Sequence, residues 1–310
     1  MAVDLSVRIG SLVLKNPILT ASGTFGYGTE YSEYFDPSRL GGIVTKTITL
    51  EPRAGNPMPR IAETPAGMLN SIGLANVGVE RYIAEKLPLL ERLDTAVITN
   101  VAGNTADEFG ALIRRLDGLG RIDAFEINIS CPNLKKDGLA FGMDAEATRD
   151  VVRRVRSETD KTVIVKLTPN VTDIVSVAQA AVEAGADALS LINTVLGMRV
   201  DIETRRPVLA RITGGLSGPA IKPIALAKLF QVKRSIGVPL IGIGGIMTTG
   251  DALEFFFTGA TAVQVGTLNF IDPSGSVSIL AGLVRWCEDR NISSFSSIIG
   301  TLVLESPSKP

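Results

Sequence analysis

Along residues 125–130, Phe125, Ile127 and Ile129 alternate with Glu126, Asn128 and Ser130. This is the period of two shown by a strand whose faces meet different surroundings. Pro132 cannot donate to a ladder, so the strand is predicted to end near Cys131. Short apolar runs of the same kind recur at residues 17–20, 41–46, 96–100, 162–166, 188–192, 239–242 and 262–265. Between most of them lie stretches with the 3.6-residue period of surface helices, at residues 80–93, 106–116, 146–157 and 173–184. Ahead of this beat, residues 6–9 and 12–14 flank Gly10-Ser11, a favoured two-residue hairpin turn, and are predicted to cover one end of the domain.

Eight short strands alternating with helices predict an α/β fold, a (β/α)8 TIM barrel with a short N-terminal hairpin; an open doubly wound sheet is the runner-up. No linker, composition shift, repeat or low-complexity tract divides the sequence, so residues 1–310 are expected to form a single domain. Two long excursions, residues 47–79 and 197–218, interrupt the beat and read as structureless loops. Loops of that length in a compact domain are usually functional, which places both near the site.

Composition narrows the chemistry. A hydrophobic share of 45% over 310 residues is enough for a large core, and a net charge of −1 offers no nucleic-acid surface. The apolar runs are strand-length and the first residues lack a signal pattern, so a cytoplasmic protein with no membrane association is expected. The chain has no histidine, so proton transfer falls to Cys, Lys, Tyr or a carboxylate. Its two cysteines, Cys131 and Cys287, provide no disulfide framework, no metal cluster and too few ligands for iron–sulfur chemistry. Both free thiols suit a reducing compartment. Cys287 reads as helix packing. Cys131 sits between the carboxamides of Asn128 and Asn133 and reads either as a small buried hydrophobe or as an acid–base group beside amides that grip a planar polar substrate.

In a barrel of this kind the chemistry gathers at the C-terminal strand ends. Those positions hold Ser22, Lys46, Asn100, Asn128 with Cys131, Lys166, Asn193 with Thr194, Gly244-Gly245 and Gly266-Thr267. One strand-end lysine is readily explained by snorkelling to solvent; two, with three asparagines, exceed what stability requires. Three glycine clusters, at residues 214–218, 242–245 and 266, are candidates for backbone approach to an anion, although turns also select glycine. Met247 occupies the third glycine position of a dinucleotide fingerprint begun at Gly242, which favours a phosphate-bearing mononucleotide over bound NAD.

Three segments carry a family resemblance: Asn128-Ile129-Ser130-Cys131-Pro132-Asn133, Met68-Leu69-Asn70-Ser71-Ile72-Gly73-Leu74, and residues 259–267. With them the chain resembles dihydroorotate dehydrogenases nearly end to end. Residues 52–60 and Ala140-Phe141-Gly142 are most similar to the catalytic subunit of the NAD+-linked heteromeric class, class 1B. The resemblance implies an FMN flavoprotein that oxidises (S)-dihydroorotate to orotate in pyrimidine (UMP) biosynthesis. It implies Cys131 as the base for the C5 proton while the C6 hydride passes to flavin N5. It implies substrate contacts from Lys46, Asn70, Ser71, Ile72, Gly73, Leu74, Asn128, Asn193 and Thr194. FMN contacts are implied for Ser22, Lys46, Thr47, Asn100, Asn128, Lys166, Ile192, Gly218, Gly244, Gly245, Gly266 and Thr267, and no metal.

The chemistry of the side chains agrees with these roles. A carboxamide matches the donor–acceptor edge of orotate, Lys46 offers charge for its carboxylate, and Lys166 near flavin N1 and O2 would stabilise the anionic reduced ring. A thiol with an ordinary pKa of about 8.5 serves as base if the site favours thiolate. The class resembled passes its electrons to NAD+ through a partner subunit carrying FAD and a [2Fe–2S] cluster, in a heterotetramer of two catalytic and two electron-transfer chains. The quinone-linked membrane class has an amphipathic N-terminal extension, whereas this sequence opens on the hairpin. Three alternatives carry different expectations. A fumarate-reducing homodimer of the same family turns over alone with fumarate, a flavin barrel acting on tRNA uridines needs a basic face and an added helical domain, and a non-catalytic scaffold takes up no FMN.

Overall fold

In the computed structural model, residues 3–130 and 140–304 are described. The chain opens with β1 (Val7–Ile9) and β2 (Leu12–Leu14), an antiparallel pair. The strands β3 (Ile18–Thr20) and β4 (Gly42–Val44) follow. The excursion after β4 carries β5 (Ile61–Thr64) and β6 (Gly67–Asn70). After these come β7 (Ala96–Val101), β8 (Ala124–Asn128), β9 (Thr162–Leu167) and β10 (Ala188–Leu191). The second excursion holds β11 (Val195–Met198), β12 (Val200–Asp201), β13 (Arg206–Pro207) and β14 (Thr213–Ser217), before β15 (Leu240–Ile243) and β16 (Ala262–Val265).

Eight parallel strands close in the order β3-β4-β7-β8-β9-β10-β15-β16, the (β/α)8 arrangement expected from the apolar beat. Strands covered on both sides are rich in aliphatic residues, and every residue of β7 from Val97 on, of β8 and of β9 is buried. The hairpin sits at the N-terminal end. Ser11 Oγ lies 2.9 Å from Oγ1 of Thr162, the first residue of β9, and that hydroxyl donates to Ile9 O at 3.4 Å.

Four of the outer helices begin at a side chain that caps them. Residues Val79–Arg81 form α1 and Leu87–Leu90 form α2. Thr105, Asp144 and Asp173 accept backbone N–H bonds at the starts of α3 (Ala106–Asp117), α4 (Ala145–Arg156) and α5 (Ile174–Glu183). The remaining helices are α6 (Lys222–Lys233), α7 (Thr249–Thr258) with a Thr248/Asp251 capping box, α8 (Leu268–Ile271) and α9 (Gly275–Glu288). Cys287 is fully buried in α9, as packing requires.

Two expectations need correction. The helix expected over residues 80–93 is broken into α1, a π segment at Tyr82–Lys86, and α2. Pro88 has no N–H to offer the carbonyl four residues back, so the ladder widens there. The excursions are also not structureless. Their strands pair as a four-stranded antiparallel sheet, β11-β14-β6-β5, with Gly215 opposite Asn70 and Ser217 opposite Met68. In that sheet Gly214 and Gly215 serve close strand packing: a Cβ on Gly215 would stand 2.0 Å from Thr194 Oγ1, and one on Gly214 2.5 Å from Asn70 O.

Candidate functional site

A cavity of about 800 Å³ opens between the C-terminal strand ends and the antiparallel sheet, which forms its roof. Three cations, Lys46, Arg53 and Lys166, line it, and among the described residues no Asp or Glu does. That imbalance favours an anionic ligand.

The strand ends bring most of the expected residues together. Ser22 follows β3, and Lys46 and Thr47 follow β4. Asn128 closes β8, Lys166 lies in β9, and Ile192, Asn193 and Thr194 follow β10. Gly244 and Gly245 follow β15, Gly266 and Thr267 follow β16, and Gly218 follows β14. Asn70, Ser71, Ile72, Gly73 and Leu74 descend from the roof. Asn100 does not line the cavity; it is fully buried one layer below. Cys131 and Asn133 lie outside the described residues.

Hydrogen bonds fix the carboxamides. Asn193 Nδ2 donates to Ser130 Oγ at 2.9 Å and to Asn128 Oδ1 at 3.4 Å, while its Oδ1 accepts from Thr194 N at 2.7 Å. The roof segment is clasped by Asn56, whose Nδ2 donates to Ser71 Oγ at 2.9 Å and whose backbone N–H donates to Ile72 O at 3.1 Å. Arg53 donates to Asn104 Oδ1 at 2.8 Å, and Asn104 in turn donates to Glu108, so the guanidinium is braced from α3. Lys46 differs: among the described residues no acceptor or counter-ion reaches its Nζ, and burial pulls its pKa below the usual lysine value.

Beneath the cavity, Glu126 Oε1 accepts from Asn100 Nδ2 at 2.6 Å and, at a long 3.5 Å, from Lys166 Nζ. Glu126 Oε2 accepts from Ser190 Oγ at 2.9 Å and from Gln264 Nε2. Sequence reasoning passed over Glu126, Gln264, Arg53 and Asn56 as site residues. For Glu126 and Gln264 a signal existed, a charged or amide side chain inside an otherwise apolar barrel strand. For Asn56 there was none, because its partner Ser71 is met only across the folded excursion.

The two late glycines have different surroundings. Gly245 has φ +70°, and a Cβ there would stand 2.8 Å from Lys222 N and 2.9 Å from Gly218 O. At Gly266 the nearest atom to an added Cβ is Ala21 Cβ at 3.5 Å, an ordinary contact, so packing does not require glycine there, and the residue lines the cavity. A half-buried glycine backbone facing the cavity at the end of a late barrel strand suits a phosphate.

A closed parallel barrel with a cation-rich cavity walled by carboxamides and a glycine backbone defines a (β/α)8-barrel protein built for an anionic ligand. The family model described as dihydroorotate dehydrogenase matches residues 4–286. A relative from Geotalea daltonii, named dihydroorotate dehydrogenase B (NAD(+)), catalytic subunit, is 56% identical over 96% of this chain and 98% of its own length. Proteins of the same name from Trichlorobacter lovleyi and Geobacter sulfurreducens are 56% and 55% identical, covering 97% and 96% of this chain and 99% and 98% of theirs. A crystal structure of DHODH from Eimeria tenella, in complex with ferulenol, has the same fold with a TM-score of 0.79 at 24% identity, over 96% of this chain and 88% of that one. The chain belongs to the dihydroorotate dehydrogenase family.

That family consists of FMN-dependent oxidoreductases, and the residues here fit FMN. Among the described residues the lining is cationic without carboxylates, Gly266 lines the cavity with no side chain to keep a phosphate away, and polar groups on the cavity floor can face a flavin ring. Two buried carbonyl oxygens below that floor, Asn100 Oδ1 and Gln264 Oε1, have no partner among the described residues.

Proposed function

We propose that this chain is the catalytic subunit of an NAD+-linked dihydroorotate dehydrogenase, oxidising (S)-dihydroorotate to orotate in pyrimidine synthesis. The observation that carries the reading is the cavity lined, among the described residues, by three cations and no carboxylate, with Asn70, Asn128 and Asn193 converging on it. Dihydroorotate is an anion with an amide-edged ring, and this set of groups complements both features. Bound FMN would supply the chemistry of hydride acceptance from substrate C6.

The chain's own residues do the remainder. Lys46, without a partner among the described residues, takes the substrate carboxylate, and the Asn128–Asn193 pair fixes the ring through amides already oriented by Ser130 and Thr194. Lys166, 3.4 Å from Ser22 Oγ, would supply a cation to stabilise the anionic reduced flavin if FMN is bound. Gly244, Gly245, Gly266 and Thr267, which line the cavity, would receive the FMN phosphate. The Asn56 clasp holds Ser71 and Ile72 over the substrate, and the roof excludes water. Cys131, from its place in the sequence, removes the C5 proton. In this reading the described barrel acts as one FMN-binding unit.

The curated relatives are named as catalytic subunits, which supports a second, electron-transferring chain. We take that partner to carry FAD and a [2Fe–2S] cluster in a heterotetramer, and the complex to be cytoplasmic. No helix among the described residues is long and apolar enough to cross a membrane.

The test is anaerobic mixing of the purified chain with dihydroorotate, followed by flavin absorbance, and then addition of NAD+ or fumarate. Bleaching that neither acceptor reverses supports the heteromeric enzyme. Recovery with fumarate alone assigns the homodimeric class instead. An FMN-loaded chain that does not bleach defeats the dihydroorotate assignment.

A further inference from the structure

Glu126 has no part in the chemistry derived so far, yet it is the most heavily hydrogen-bonded side chain of the barrel interior. Its carboxylate accepts from Asn100 on β7, Lys166 on β9, Ser190 on β10 and Gln264 on β16. Asn100, Glu126, Ser190 and Gln264 are all 0% exposed. Of the four donors, only Lys166 reaches the cavity lining.

A carboxylate accepts and cannot donate. Both neighbouring amides must therefore turn their NH2 groups toward Glu126, which leaves Asn100 Oδ1 and Gln264 Oε1 directed elsewhere and unpartnered. The same carboxylate is the negative charge nearest Lys166, with Ser22 Oγ 3.4 Å from the ammonium on its other side. A barrel needing only to be filled would hold aliphatic residues in this layer, and a buried ion pair adds little net stability over them.

We infer that Glu126 is a positioning residue: a fixed counter-charge under the cavity floor that orients Lys166, Asn100 and Gln264 and thereby sets the reduction potential of the bound flavin. This rests on the FMN reading above. The Lys166 ammonium favours the anionic reduced flavin, and the Glu126 carboxylate opposes it through the same low-dielectric interior. In Glu126→Gln the opposition is gone. The new amide also faces donors at both ends, so its NH2 meets a donor pair and one neighbouring amide must turn over.

The experiment measures the midpoint potential of FMN in the loaded chain by equilibration with a reference dye, in wild type and in Glu126→Gln. Reduced over oxidised flavin should be favoured at least tenfold more in the variant, a rise of about 30 mV for a two-electron couple. A folded, FMN-loaded Glu126→Gln with the wild-type potential overturns the inference while leaving the FMN assignment intact. If Glu126→Gln does not fold or hold FMN, Glu126→Asp is measured, in which the carboxylate retracts from an already long 3.5 Å contact. A smaller rise in the same direction supports the inference, and an unchanged potential overturns it. A wild-type chain that takes up no FMN defeats the FMN reading itself, and this inference with it.

Discussion

Lys46 offers a perturbation in which stability and binding should move in opposite directions. Its ammonium lies at the cavity with no partner among the described residues, and burial depresses its pKa from 10.5. Lys46→Met keeps the packing of the stem and removes the partly desolvated charge. The unliganded fold should gain roughly 1 kcal/mol, the low end for relieving a buried polar group without a partner. Binding of orotate should lose about 2 kcal/mol, the value of a hydrogen bond to a charged group, or about thirtyfold in affinity. The pH dependence has a definite sign. A lysine whose folded pKa lies below its unfolded value is penalised fully below the folded pKa, and the penalty fades as pH rises from there toward 10.5. The stability difference between the two proteins is thus greatest at neutral pH and closes in alkali. Urea denaturation without orotate, at several pH values, gives the first quantity, and orotate titration followed by flavin absorbance gives the second. A Lys46→Met protein that is less stable than wild type at pH 7, or that binds orotate equally well, refutes the assignment of this ammonium to the ligand.

The two glycines that end β15 and β16 should separate folding from binding. Gly266→Ala places a methyl in ordinary contact, 3.5 Å from Ala21 Cβ, so unfolding should change by less than about 0.5 kcal/mol while FMN is lost more readily on dialysis. Gly245→Ala has φ +70° and backbone atoms within 2.9 Å of the added carbon, and thermal melting should show roughly 1–3 kcal/mol of destabilisation. In Tyr82→Phe, loss of the 2.8 Å bond to Thr99 should cost about 1 kcal/mol by denaturation. Burial pushes the Tyr82 phenol up to about 12, so wild type should lose stability relative to the variant as pH rises from 10 toward that value, and an absorbance titration should show this tyrosine ionising last.

What the sequence made legible was what depends on local pattern. Runs such as Val163-Ile164-Val165 mark strands because they are apolar on both faces, and helices α3, α4 and α5 fall within a residue or two of their predicted spans because amphipathic period and caps agree. Strand-end residues such as Ser22, Lys166 and Thr267 converge because a parallel barrel gathers all its C-terminal ends on one face. The roof was not legible. Pairing β6 with β14 joins residues about 145 positions apart, and the glycines at 214 and 215 carry no strand signal. Glu126 was seen only as the polar beat of an alternation, since the partners that give it meaning lie on four other strands.

The roof has a consequence for how this protein can change over generations. The two excursions are laced together by the register Asn70–Gly215, Leu69–Leu216 and Met68–Ser217. A single-residue insertion in either would turn every following side chain of that strand to the opposite face, removing Asn70 from the cavity or driving Thr194 against a residue other than Gly215. Neither excursion is then free to drift in length by itself, as surface loops ordinarily are. Novelty in ligand choice has to come from substitution within the existing lengths, or from paired insertions that restore the register on both sides at once.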